Sequence, residues 1–332
     1  MEPRRFSGKG HWYHETQSNH SQADVLPLVP EATNVADRFL LDLTLPAEIL
    51  AACECWFSPA RALCDRLFPL ATPVSRLHTL SAYDRLSTAL TVAQACGVQR
   101  LCNHYAALLA PLPGPDSSRE SNRRLAQITQ YARQLTSSPE VIDDKARQQL
   151  DEVGLTIYDI VLINQIIGFI GFQARVVAVC QAFLGYPVRW LPGHPIQPHS
   201  LTAGHDNALW IAGFPGVELR YASAYQLECL AQWQTEPALQ PLTPVLCHHP
   251  VVLDLTGRLL ANLLHAAGDD PACPALSDAV AWLSRSPDRF SAAQFTPLTA
   301  KNMPAEQAIN LLAASALHGW LARLRTALGK QE

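Results

Sequence analysis

Charge is scarce in this chain. Only 16% of its 332 residues are charged, against 48% hydrophobic, and the formal net charge is −4. There is no basic excess to meet a phosphate backbone, so composition gives no reason to expect nucleic-acid binding. The N-terminal stretch from Met1-Glu2-Pro3-Arg4-Arg5 to Ser21-Gln22-Ala23-Asp24 has no apolar centre. That is unlike a secretory signal and predicts a cytoplasmic protein. The most apolar run, Ile157 to Phe183, is interrupted by Asp159, Asn164, Gln165, Gln173 and Arg175. It reads as a buried core helix and not as a membrane span, so no membrane association is expected. The nine cysteines, at positions 53, 55, 64, 96, 102, 180, 229, 247 and 273, are odd in number and irregularly spaced. They do not form the pattern of a disulfide framework and are expected as reduced thiols. Glycine is modest at 16, while 25 prolines punctuate the loops.

What the chain does have is a repeat at an offset of 148 residues. Leu135-Thr136-Ser137-Ser138-Pro139-Glu140 aligns with Leu283-Ser284-Arg285-Ser286-Pro287-Asp288, Gly171-Phe172 with Gly319-Trp320, and Arg175 with Arg323. In each copy a Leu-Ser/Thr-x-Ser-Pro-acid turn leads into an apolar helix bearing one arginine. A shared offset over roughly forty residues predicts an all-α fold made of two copies of one helical unit. The expected division is a polar arm over 1–25, a first helical domain over 26–187, a Pro/Gly-rich junction over 188–215 and a second, divergent domain over 216–332.

Local signals place helices along this plan. Pro46 suits the first turn of a helix carrying Ile49, Leu50, Leu63 and Leu67. Ser81 with Asp84 three residues on forms a capping-box pair, and the helix it opens ends at Gly97. A second helix follows from Val98 to Ala110, closed by Pro111, Pro113, Gly114 and Pro115. Residues 116–150 are polar with helical spacing, and the run Gly154-Leu155-Thr156-Ile157-Tyr158-Asp159 caps the long apolar helix that ends at Gly185. That helix is apolar nearly all round and should be central. Pro304 suits the start of its counterpart in the second unit.

The run Leu80-Ser81-Ala82-Tyr83-Asp84-Arg85-Leu86, Val92-Ala93, Gly97 and Asn103-His104-Tyr105-Ala106-Ala107, followed by the long helix, resembles the alkylhydroperoxidase D-like, or carboxymuconolactone decarboxylase, superfamily. The polar arm and two-unit length further resemble its YciW-type oxidoreductases. The resemblance covers residues 75–187, and reaches the second unit through the repeat. It implies an AhpD-like helical scaffold and a peroxidase-like oxidoreductase without a cofactor, acting on a small-molecule peroxide or thiol. It implies a homo-oligomer as well, since single-unit members assemble through helical faces. The family motif is Cys-x-x-Cys-x-x-x-His at a helix start, with a glutamate on the preceding helix. A helix N-terminus favours the thiolate, a second cysteine resolves the sulfenic acid, and histidine and glutamate move the proton.

No register of this sequence supplies both cysteines. With His104 as the motif histidine they fall on Gly97 and Arg100. With Tyr105 in that place they fall on Val98 and Leu101, and with Cys102 as the second cysteine the first is Gln99 and the histidine is Ala106. The glutamate lands on Arg85 or Leu86. Cys96, Cys102 and His104 remain nearby. One reading makes Cys102 a single peroxidatic thiol assisted by His104, with Cys96 as resolver. The other makes Cys102 a buried small residue, His104 a core histidine, and the chain a non-catalytic scaffold that binds a small ligand or senses redox state.

Other polar residues divide in the same way. Arg175 and Arg323 either grip an anionic substrate or bind carbonyls or a carboxylate across the domain, and their recurrence in both copies favours the structural role. Cys247-His248-His249 cannot easily converge on one metal, and a loop or capping role is expected. Cys53, Cys55 and Cys64 read as small hydrophobes, and His265 and His318 as core residues. His11, His14 and His20 in the arm are read as part of a flexible or surface-hugging segment. No metal site is expected.

Overall fold

The computed structural model describes residues 35–188, 195–197, 210–268, 273–300 and 303–331. The arm with its three histidines lies outside the described residues, as do Trp190, His194, His199 and His205 of the junction. The fold is all-α. The first half contributes α1 (Ala47–Leu67), α2 (Ala82–Cys96), α3 (Gln99–Leu109), α4 (Arg119–Ser137), α5 (Asp144–Glu152) and α6 (Ile157–Phe183). The second contributes α7 (Ala224–Trp233), α8 (Thr243–Leu246), α9 (Pro250–Ala267), α10 (Pro274–Arg285), α11 (Ala292–Thr299) and α12 (Ala305–Leu328). A small sheet pairs β1 (Trp210–Ala212) with β2 (Gly329–Gln331), antiparallel. The sequence patterns do not anticipate this sheet.

Side-chain chemistry sets the helix ends. Ser81 accepts from Asp84 N–H at 3.1 Å while Asp84 accepts from Ser81 N–H at 3.0 Å, closing the capping box. Thr156 and Asp159 do the same for α6. Asp159 is buried and also accepts from the N–H groups of Thr79 and Leu80, at 2.8 and 3.2 Å. One carboxylate therefore opens α6 and holds the chain entering α2. Pro46 and Pro304 stand one residue before their helices, as N-caps, and not in the first turn.

The centre of the molecule is the pairing of α6 with α12. Among the described residues α6 is the one helix long and apolar enough to cross a membrane, and its most apolar stretch is wholly buried by protein. The buried apolar residues form one continuous cluster drawn from both halves. Where the helices cross, Gly168 of α6 receives the indole of Trp320 from α12. A Cβ on Gly168 would stand 1.8 Å from Trp320 Cδ1 and 2.1 Å from its Nε1. Gly168→Ala is therefore expected to destabilise by about 2 kcal/mol. Overpacking costs about 3 kcal/mol and is offset by up to about 1 kcal/mol of helix propensity. Urea unfolding measures the difference, and a neutral or stabilising result would show that the crossing has slack.

The 148-residue offset recurs in the element boundaries. Short 3₁₀ turns occupy Pro139–Val141 and Pro287–Arg289, each preceded by a serine at φ −142°. The helices after them are capped by Asp143 and Ser291, and the long helices begin at Ile157 and Ala305. The two arginines act reciprocally. Arg175 donates from Nη1 to Gly171 O (2.8 Å) in its own helix and from Nη2 to Ser284 O (2.9 Å) in the other half. Arg323 donates to Gly319 O (3.0 Å) and, across the molecule, to Thr136 O (3.1 Å). Each long helix thus carries a buried cation that caps the end of α4 or α10 in the opposite half.

Candidate functional site

A cavity of about 470 Å³ opens at the start of α3, where the two halves meet. Its near wall is built by the turn between α2 and α3. Gly97 takes a left-handed conformation (φ 69°) that ends α2 at little steric cost, and the chain re-enters a helix two residues later. Val98 then sits at the N-cap and offers no side-chain acceptor to the first-turn N–H groups of α3. The end of α6 and the segment after it form a second wall through Ala178, Gln181 and Tyr186. Pro287, Asp288 and Phe290 close the far side from the second half.

Three of the registers considered from sequence can now be compared in space. Gly97, Arg100 and His104 all line the cavity. Leu101 and Tyr105 are fully buried in the core instead, and Cys102 is not on the cavity wall. Val98 and Gln99 of the other two registers also line it, so Gly97, Arg100 and His104 are the one set of the three whose positions all face the cavity. Of the glutamate's two alternative positions, Arg85 donates to Leu67 O at 3.1 Å and Leu86 is buried.

Arg100 is the best-positioned group on the wall. It donates from Nε to Gln181 Oε1 at 3.0 Å and from Nη1 to Asp42 Oδ2, and its guanidinium lies 5.5 Å from the Tyr186 ring centroid. Gln181 is itself anchored by donating to Pro187 O at 3.2 Å. His104 lies one helical turn beyond Arg100 on the same face and is buried. Its neighbour Tyr105 donates to Gln173 Oε1 at 2.8 Å, and Gln173 in turn donates to Arg38 O and Phe39 O. This chain fixes both α3 and the loop that brings Asp42 to the cavity.

The thiols are elsewhere. Burial pushes the Cys102 thiol up to about 12, and nearby Cys96 adds to the shift. The low-pKa thiol expected from its early position in α3 is not what this burial produces. Cys96 lies behind the wall with the Arg175 guanidinium against its sulfur. Its pKa is also raised, by burial first, although Arg175 and Arg323 oppose the shift. Arg175 is not among the described residues lining the cavity; it donates to the carbonyls of Gly171 and Ser284 and otherwise meets the Cys96 thiol. No cysteine is among the described residues lining the cavity, and no group of metal-ligating side chains occurs among the described residues.

Sequence reasoning did not single out Asp42, Gln181, Tyr186 or Asp288. Gln181, a polar residue near the end of a largely apolar helix, was the one local signal available. No protein-family model matches this chain, and no curated protein matches it in sequence.

Proposed function

We propose that this chain is a small-ligand-binding scaffold of the alkylhydroperoxidase D-like superfamily. In this reading it consists of two copies of one helical unit, keeps the family's cavity and has lost its thiol chemistry. The observation that carries the proposal is the wall formed by Gly97, Arg100 and His104, with a guanidinium where a resolving cysteine would stand. Cys102 as a lone peroxidatic thiol is disfavoured on two grounds. It does not line the cavity, and a thiol held near 12 is almost wholly protonated at pH 7 and so a poor nucleophile.

Peroxide consumption by wild type and Cys102→Ala, with a dithiol reductant, tests the loss of chemistry. Neither protein is expected to turn over. Ellman's reagent should react fast with exposed Cys55 and more slowly with half-buried Cys273, while the other seven thiols, all buried, react only on unfolding. Turnover that Cys102→Ala abolishes would instead establish the peroxidase. Ligand-observed NMR with benzyl alcohol tests binding. A signal removed by Asn103→Trp, which fills the cavity, supports the site; absence of binding would overturn it.

A further inference from the structure

We propose that the cavity selects small organic carboxylates and that Arg100 is the group that grips them. This deepens the binding reading above and rests on it. The guanidinium is held on two of its edges and open on the third. Nε is committed to Gln181 and Nη1 to Asp42, whereas Nη2 makes no hydrogen bond among the described residues. Tyr186 lies against the guanidinium and Gln181 is tied to Pro187, so the fork is oriented before any ligand arrives. A planar fork held in this way suits a planar carboxylate.

Asp42 shows what this guanidinium accepts. Its carboxylate already occupies Nη1, yet its side chain is 59% exposed, at the cavity's edge. An exposed ion pair of that kind is weak, so an incoming carboxylate can take Nη2 and then share or displace Asp42 at Nη1. Of the acids on the wall, Asp42 competes for Arg100 and Asp288 has a cation beside it. Asp42 shares the charge of Arg100, which sets a cost that its removal would lift, and Asp288 Oδ2 lies 3.7 Å from Arg289 Nε. The start of α3 adds a favourable field for an anion, though it would not make a site alone. Val98, Ala178 and Phe290 supply an apolar surface for the rest of the ligand. At about 470 Å³ the space suits a small molecule and not a peptide.

Full-length protein is titrated calorimetrically with sodium benzoate, benzyl alcohol and benzylamine at pH 7. Benzoate is expected to bind about tenfold tighter than benzyl alcohol, with benzylamine weakest, because a charge-assisted fork is the added interaction. Arg100→Gln should lower benzoate to about the level of benzyl alcohol and so abolish the preference between the two. Asp42→Asn should tighten benzoate severalfold, a gain that misfolding cannot imitate. If benzyl alcohol binds and benzoate binds no tighter, or if benzylamine binds tightest, carboxylate selectivity is wrong while the cavity reading stands. If Arg100→Gln keeps the preference for benzoate, Arg100 is not the grip. If none of the three binds wild type, both the selectivity and the binding scaffold fall together.

Discussion

Replacing Arg323 with methionine is expected to destabilise the protein by about 2 kcal/mol, and Arg175→Met by a similar amount. Replacing both should cost about 1 kcal/mol more than the sum. The first figure comes from what each arginine does. Methionine keeps much of the aliphatic stem but leaves the carbonyl of Thr136, or of Ser284, without the buried donor that now reaches it at 3.1 or 2.9 Å. A lost bond from a charged donor costs about 1.5–3 kcal/mol, and removing a buried cation returns part of that.

The excess in the double variant comes from like charge. Burial first, and then the neighbouring positive charge of Arg175, hold the Arg323 pKa down to about 9. Arg175 is also depressed, chiefly by burial. Either single substitution already relieves the repulsion between the two cations, so the second loses its carbonyl bond without that compensation. Denaturant unfolding of the four proteins in a double-mutant cycle measures the coupling. Strict additivity would mean that the guanidiniums do not sense each other. A large inequality between the singles would mean that the reciprocal geometry is not energetically reciprocal.

The positions of these arginines were legible because the repeat carried them at a fixed offset. Their role was legible in outline, since a cation on an apolar helix must find acceptors. The capping pair Ser81–Asp84 was legible for another reason, because its chemistry is confined to four consecutive residues, and the run from Gly154 to Asp159 was legible as the start of α6 on the same ground. The cavity was not. Asp42, Arg100, Gln181 and Asp288 are far apart in sequence, and only tertiary packing brings them to one space. Cys102 shows where a local rule stops. Its place near the start of α3 was readable, but which face of α3 meets the core depends on α2, and burial then outweighs the helix dipole. The sheet was missed because three-residue strands have no periodicity to read, and this pair is supported by Trp210 donating to Arg325 O at 3.0 Å. At the turn into α9, His249 does occupy the N-cap, yet its side chain makes no cap bond and reaches instead across to α6.

That reach makes the fold sensitive to acid. His249 Nε2 lies 2.7 Å from the carbonyl oxygen of Tyr158, so Nε2–H donates and the neutral ring leaves Nδ1 unprotonated. Around it stand His78, with ring centroids 5.8 Å away, and Tyr158, at 6.2 Å. Burial above all, with the charges of His78, Arg85 and His248 acting in the same sense, lowers the His249 pKa from 6.5 to about 4. The unfolded chain therefore binds a proton between pH 6.5 and 4 that the folded one does not. Stability is full above pH 6.5 and falls by about 1.4 kcal/mol per unit below it, or about 3 kcal/mol by pH 4. His248 and His318 are shifted the same way, both by burial, and add to the slope. Unfolding free energies at pH 7, 6, 5 and 4 should show this loss, and His249→Gln should flatten it. A glutamine amide can keep donating to Tyr158 O but takes no proton, so the variant should match wild type within about 1 kcal/mol at pH 7 and exceed it at pH 4. An unchanged slope would move the acid sensitivity to other groups. Because His78 precedes α2, Tyr158 lies in the first turn of α6 and His249 stands at the N-cap position of α9, the protonation that destabilises the fold acts where the halves touch. Hydrogen exchange at pH 5 should accordingly rise first at the N-termini of α6 and α9, ahead of the α6–α12 crossing.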